Sequence, residues 1–218
     1  LGSGLTAADT LAIRNGTDLV LRWSNNASDS VTIKSVFQSS QVQASYQIES
    51  AVFDDGTVLA FGDMLAKLKL QGTDGNENLT GLSGYSNRIN GLGGDDTLTG
   101  GNQADVIDGG DGNDTLNGGQ GADTLMGGPG NDVLNGGSGI DTYVFKKGDG
   151  KDVINASIKT DGINQDVLQL GEGITPQATR LVRGLGTDSQ HLTLDFGDGD
   201  ELTLKSYFVE QFRLKTIQ

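Results

Sequence analysis

The sequence predicts an all-β chain: a right-handed parallel β-roll flanked by β-rich capping segments. Three observations predict it. A nine-residue period runs through the middle of the chain. Glycine is concentrated in that same stretch. The residues on either side fall into short runs with the apolar and β-branched character of strands.

The first flank covers residues 1–70. Leu19-Val20-Leu21-Arg22-Trp23 and Val31-Thr32-Ile33-Lys34 read as strands. Residues 46–53 alternate before the turn signal Asp54-Asp55-Gly56. Residues 64–70 suit either a short helix capped by Asp63 or another strand. Trp23, the only tryptophan, reads as a core or cap residue, with stacking on a sugar ring as the rival reading.

Residues 71–154 form the second segment. Of the 35 glycines in 218 residues, 23 lie between 72 and 152. Glycine loses more backbone freedom on folding than any other residue. With hydrophobic content at only 34%, something besides apolar burial must offset that loss. The repeat reads Gly-Gly-x-Gly-x-Asp-x-apolar-x. Its sixth position holds Asp96, Asp105, Asp114, Asp123, Asp132 and Asp141, and its eighth holds Leu98, Ile107, Leu116, Leu125, Leu134 and Tyr143. Residues 109–117, 118–126 and 127–135 are the best copies. Two weaker copies precede, with Glu77 and Asn87 at the acidic position, and a degenerate copy follows through Asp152.

Nine residues divide into a six-residue turn and a three-residue strand. Glycines let the turn adopt positive φ and bring its carbonyls inward. Side chains alternate along a strand, so the middle residue of the triplet faces the core. Calcium takes about six to eight oxygens at roughly 2.3–2.6 Å. A single turn has too few, but two turns stacked about 4.8 Å apart supply two carboxylates and several carbonyls. With two repeats per coil, the expected stacked pairs are Asp96 with Asp114, Asp114 with Asp132, Asp105 with Asp123, Asp123 with Asp141, and Asp132 with Asp152. Glu77 with Asp96 and Asn87 with Asp105 are weaker candidates. The expected carbonyl-donating positions are Gly94, Gly110, Gly112, Gly119, Gly121, Gly128, Gly130, Gly137 and Gly139. Leu92, Gln103 and Pro129 depart from the ideal copy, and the Asp105 turn is the expected weak site. This reading implies about four to seven calcium ions.

The third segment, residues 155–218, returns to strands at Val167-Leu168-Gln169-Leu170, at 191–196 and at 202–206. It resembles the first flank. Gly4-Leu5-Thr6 precedes Arg14 as Gly173-Ile174-Thr175 precedes Arg183, and Val31-Thr32-Ile33-Lys34-Ser35-Val36-Phe37 parallels Leu202-Thr203-Leu204-Lys205-Ser206-Tyr207-Phe208. The chain therefore reads as slightly more than one period of a larger array. It begins at Leu1 rather than Met, which predicts a cut fragment or a processed product.

The repeat resembles the haemolysin-type calcium-binding repeat of the RTX family, and the flanks resemble the related segments found beside such arrays. Asp141-Thr142-Tyr143-Val144-Phe145 followed by Gly148-Asp149-Gly150 is similar to the place where such arrays end. The resemblance implies a secreted bacterial protein exported by a type I secretion apparatus, and it implies folding on calcium outside the cell.

The remaining features narrow the function. The net charge is −14, with eleven acids and one cation, Arg88, between residues 72 and 145. That balance opposes nucleic acid, which selects a basic stripe, and it opposes anionic membrane surfaces. There is no cysteine and hence no disulfide. No apolar run nears the roughly 20 residues of a membrane span. Gly150-Lys151 is followed by Asp152, so the glycines do not spell a phosphate-binding loop. A period of nine and two prolines exclude collagen. A flexible acidic linker would not hold apolar residues in register for six copies. His191, the only histidine, reads as structural, and Asp54, Asp55, Asp198 and Asp200 read as hairpin-turn acids. No catalytic motif stands out, so no enzymatic activity is expected of this chain. Two rivals remain: a module of a large adhesin whose flanks bind a host receptor or glycan, and the appendage of an enzyme whose catalytic domain lies elsewhere.

Overall fold

The structure, a computed structural model, describes residues 10–15, 18–23, 26–33, 37–38, 41–42, 50–52, 56–66, 68–155, 165–184, 190–205 and 216–217. Sequence expectations for residues 4–6, 34–36, 46–49, 53–55 and 206–208 lie outside them, as does the side chain of Trp23.

The first flank opens with an antiparallel meander of β1 (Thr10–Asn15), β2 (Asp18–Trp23) and β3 (Asn26–Ile33). Two short hairpins follow: β4 (Phe37–Gln38) with β5 (Gln41–Val42), and β6 (Ser50–Val52) with β7 (Val58–Ala60). A single helical turn and a half, α1 (Phe61–Ala66), leads into β8 (Leu68–Gln71). The sequence left 64–70 open between helix and strand, and the chain uses both. The helix starts earlier than the expected cap, so Asp63 lies inside its first turn. There its negative charge suits the positive end of the helix dipole. Met64 and Leu65 turn inward against Ala12, Leu19, Leu21 and Leu68.

The middle is a solenoid of stacked parallel strands, as its period requires. The strands are β9 (Asn78–Thr80), β10 (Arg88–Gly93), β11 (Thr97–Gly101), β12 (Val106–Asp111), β13 (Thr115–Gln120), β14 (Thr124–Met126), β15 (Val133–Ser138), β16 (Thr142–Phe145) and β17 (Lys151–Asn155). Odd and even strands build two separate sheets, so each strand pairs with the one two repeats away. Leu98 lies beside Leu116 and Leu116 beside Leu134. On the other sheet Ile107 lies beside Leu125 and Leu125 beside Tyr143. These residues line one continuous core.

In β13 and β15 the ladder outruns the expected three-residue strand. It continues through Gly119 beside Gly137 to Gln120 beside Ser138. Successive coils of equal length follow the same path, so neighbouring turns stay in hydrogen-bonding register.

The chain continues with β18 (Val167–Leu170), β19 (Arg180–Arg183), β20 (Leu192–Gly197), β21 (Asp200–Lys205) and β22 (Thr216–Ile217). Strands β18 and β22 extend one sheet, giving the order β22-β18-β16-β14-β12-β10-β8-β1-β2-β3. The other sheet runs β19-β20-β21-β17-β15-β13-β11-β9. Each flank thus adds an antiparallel meander to one end of the solenoid. Phe145 and Phe196 meet with ring centroids 5.0 Å apart where the second meander joins the core. Among the described residues, no helix is long and apolar enough to cross a membrane.

Candidate metal centre

The inward face of each coil follows from strand alternation. In one copy Asp96, Leu98 and Gly100 are all buried, and the residues between them are not. The sixth, eighth and next first positions therefore share one side. Each first-position glycine lies beside the aspartate that ends its own turn, five residues later.

The aspartates form two columns, one along each edge of the solenoid. On one edge the backbone N–H of Asp96 donates to Oδ1 of Asp114 at 2.7 Å. That of Asp114 donates to Asp132 at 2.7 Å, and that of Asp132 to Asp152 at 3.0 Å. On the other edge Asp105 donates to Asp123 at 2.9 Å and Asp123 to Asp141 at 3.0 Å. All five expected stacked pairs are neighbours. The longer spacing from Asp132 to Asp152 is absorbed within the connecting turn.

The second carboxylate oxygen is the informative one. Oδ2 of Asp96, Asp105, Asp114, Asp132 and Asp152 is buried without a hydrogen-bond partner. A buried, unpaired carboxylate oxygen is among the most costly groups a fold can hold. It does not repeat down a column by accident of packing. A Cβ built on Gly109 would collide with Oδ2 of Asp114 and with the carbonyl oxygen of Gly127, one coil on. The same clash recurs at Gly100 with Asp105 and Gly118, and at Gly118 with Asp123 and Gly136. The turns of Asp96, Asp105, Asp114 and Asp123 thus bring a carboxylate oxygen and a carbonyl oxygen of the next coil to one small space that only glycine leaves open, whereas at Gly136 the Tyr143 hydroxyl stands in the carbonyl's place.

Electrostatics points the same way. Burial pushes the Asp114 carboxyl up to about 6, with the neighbouring charges of Asp96, Asp95 and Asp108 adding to it. Burial also raises Asp132 and Asp152, which face each other, and it raises Asp96 and Asp105. An oxygen-lined space walled by reluctant anions fits a hard divalent cation. Among the described residues no three carboxylate or imidazole side chains converge on one point. A cation here must take the rest of its oxygens from the backbone.

The glycines expected to supply those carbonyls stack on one another. Gly110 faces the carbonyl of Leu92, Gly128 that of Gly110, and Gly112 that of Gly94. Gly94, Gly119, Gly121, Gly137 and Gly139 are stacked the same way and, like those three, have positive φ. Gly130 departs from the expectation of positive φ. Its carbonyl accepts the Lys151 N–H at 3.1 Å, and it bridges Gly150 in the parallel ladder. The turn ending in Asp105 departs further, since neither Gly101 nor Gln103 has positive φ. Leu92, by contrast, keeps the glycine-like shape with φ of 80°.

The two weak copies are wired differently from the rest. Glu77 places Oε2 over Gly72, where the aspartates place Oδ2, but that oxygen accepts the Thr73 N–H at 2.8 Å. Asn87 turns its amide to the same place. Its Nδ2 donates to the carbonyls of Tyr85 and Leu82 and to Oδ1 of Asp105. In that turn a neutral amide supplies donors of its own.

Sequence reasoning missed two residues and misread a third. Asp166, buried, accepts the Asp141 N–H at 2.9 Å and so extends that column by one step. Its signal was the tail Asp166-Val167-Leu168, an Asp-x-apolar ending stripped of its glycines and 25 residues beyond Asp141. Asp149, also buried, accepts the Lys146 N–H at 2.6 Å. Asp200 is not simply a hairpin acid. It is buried and accepts the N–H groups of Gly148 and Gly150, closing the last turn of its edge. Asp198 is exposed and pairs with Lys147 at 2.7 Å. Tyr143 fills an apolar position with its hydroxyl accepting the Gly136 N–H at 3.0 Å, and burial raises its phenol far above the usual range.

Residues 71–107, 83–116 and 108–143 match the RTX calcium-binding nonapeptide repeat family, described as four copies. Residues 11–61 match the haemolysin-type calcium binding protein related domain. No curated protein matches the chain.

Proposed function

Because residues 71–143 are RTX calcium-binding repeats, we propose that this chain is a calcium-folded module of a secreted protein. It remains open where calcium is scarce and closes into the solenoid outside the cell. The observation that carries this reading is the column of buried Oδ2 atoms without partners. Oδ2 of Asp96, Asp105, Asp114, Asp132 and Asp152 would hold the ions together with carbonyls of the stacked turns, Asp123 and Asp141 completing the second edge. Bound calcium supplies the positive charge that offsets carboxylates crowded on a thin core. The binding free energy then becomes folding free energy. Extracellular calcium modules typically bind at roughly 10⁻⁴–10⁻³ M, and an affinity in that range would set the switch between compartments. An open chain suits passage through a type I secretion apparatus. In this reading the module stabilises its parent protein and performs no catalysis itself.

The test is a calcium titration of metal-stripped protein followed by far-UV circular dichroism and thermal melting. A cooperative gain of β signal saturating at several ions per chain is expected. Complete β structure and an unchanged melting temperature in chelator would overturn the folding switch.

A further inference from the structure

The two meanders are the same object seen in two settings. In the first, Arg14 lies opposite Leu19, and Leu19 opposite Ile33. In the second, Arg183 lies opposite Leu192, and Leu192 opposite Leu204. The adjoining pairs also correspond, with Ala12–Leu21–Val31 in one and Leu181–Leu194–Leu202 in the other. Both meanders have a register shift between their second and third strands, at Arg22/Trp23 and at Asp195/Gly197.

Their neighbours differ. The first meander joins a solenoid through β1, which pairs in parallel with β8. The second joins through its third strand, β21, which pairs in parallel with β17. Among the described residues, β3 and β19 each end a sheet. Side-chain exposure records the difference. Ala12 is 1% exposed beside β8, whereas its counterpart Leu181 is 64% exposed. Leu202 is 0% exposed beside β17, whereas its counterpart Val31 is 40% exposed. Each copy is bare on the side where the other is covered. An exposed leucine on an end strand is an open seat for another strand. Beside β19 lies an apolar cleft of about 310 Å³, lined by Leu170, Ile174, Leu181 and Leu194 among others. On the corresponding side of the first meander, Met64 and Leu65 of α1 and Leu68 of β8 pack on Ala12 and Leu21.

We propose that the meander is a connector between consecutive solenoids, and that β19 with its cleft is the seat for the α1–β8 segment of a following copy of this unit. The register is fixed by the first meander, where Ala12, Ile13 and Arg14 pair with Leu68, Lys69 and Leu70. Leu181, Val182 and Arg183 would therefore take Leu68, Lys69 and Leu70 of the following copy. The sheet that ends in β19 in one unit becomes the sheet that begins with β8 in the next. Stacked units then form one continuous rod without exposed strand edges at the joints. The inference rests on strand register and exposure, and so stands apart from the calcium switch.

The test extends the full chain by a second copy of residues 48–218 placed after Gln218, which continues the repeat offset. The chain has no native cysteine, so Val182→Cys paired with Lys69→Cys in the second copy gives one possible disulfide. In-register parallel neighbours satisfy its geometry, and Val182→Cys with Gln71→Cys, two residues out of register, does not. The expected result is bridging of the first pair only, with slowed amide exchange in β19 relative to the single unit. In addition, Leu181→Asp should lower the melting temperature of the two-unit chain and leave the single unit unchanged. Equal bridging of both pairs, or of neither, with exchange in β19 unaltered, would overturn the proposal. So would a Leu181→Asp effect of the same size in both chains.

Discussion

The two edges of the solenoid carry the same aspartate pattern but are finished differently. On the edge of Asp96, Asp114, Asp132 and Asp152, the fifth position of each turn adds an outer ladder. Asn131 donates to Asn113, Asn113 to Asp95, and Asp95 to Asn76, through backbone N–H groups at 2.8–3.0 Å. On the opposite edge the fifth position holds Ala104, Ala122 and Ile140, and Ile140 is exposed. The bottoms differ too. One edge rests on Glu77, a further acid. The other rests on Asn87, whose amide meets Asp105 without any ion. The comparison teaches that identical repeats need not be equally dependent on calcium. The edge ending in Asp152 crowds more negative charge, whereas the edge starting at Asn87 is partly satisfied from within.

The largest difference between the edges is expected from the aspartates themselves. Asp132→Ala removes Oδ2 and the acceptor for the Asp114 N–H together. It should raise the calcium midpoint of folding more than about tenfold, roughly 1.4 kcal/mol. Asp105→Ala should raise it by only about threefold on the same scale, because Asn87 and the irregular Gly101–Gln103 turn already weaken that site. Calcium titrations followed by circular dichroism would decide, and an equal or larger effect at Asp105 would break the comparison.

Glycine substitutions sharpen it. Gly109→Ala pushes a methyl group into the space shared by Asp114 Oδ2 and the Gly127 carbonyl. The midpoint should rise about fivefold to tenfold. Gly81→Ala meets the Asn87 amide and the Gly100 carbonyl, with no carboxylate oxygen between them, so it should raise the calcium midpoint less than Gly109→Ala does. Calcium titrations of both variants followed by circular dichroism check this, and an equal or larger shift for Gly81→Ala would break the comparison.

The pH dependence should reverse with the ion. The Asp114 carboxyl stands at about 6 against an ordinary 3.8, chiefly through burial. A raised carboxyl stabilises the fold while protonated, so its contribution is complete below about pH 4 and is lost as pH rises through about 6. In chelator, β signal should therefore grow on acidification from pH 8 to pH 5. In calcium the same acidification should weaken binding, because the ion requires the ionised form. A rising midpoint toward alkaline pH in calcium would contradict this.

The smallest effect is expected at Leu92, which is half-buried and has φ of 80°. Left-handed backbone costs a side-chain-bearing residue about 1–2 kcal/mol. Leu92→Gly should raise the melting temperature in calcium by about 2–4 °C. A drop would show that the packing of its side chain outweighs the strain.

Much of this architecture is legible in the sequence because the period is short and strict. A nine-residue repeat with one inward apolar residue and one inward acid fixes the stacking partner of Asp114 or Leu116 without reference to the rest of the chain. The capping residues were not legible in the same way. Asp166 follows a segment that breaks the period, and Asp200 is 48 residues beyond Asp152. Each acts on the last coil only through tertiary placement, which local spacing does not encode. The handling of Asn87 was hidden for a different reason. A sequence pattern shows an amide where an acid should be, but not that its Nδ2 turns to the place of the orphaned oxygen. The meander was visible as a repeat of residue types, yet its strand order and its uneven exposure needed the fold.

The most direct test is a crystal structure grown in calcium, with the ions located by anomalous scattering. The account predicts ions about 2.3–2.6 Å from Oδ2 of Asp114 and Asp132, each also contacting carbonyl oxygens of the stacked turns. Ions confined to the exposed acids Asp74, Asp95 and Asp111, with the buried Oδ2 atoms bonded to water, would contradict it.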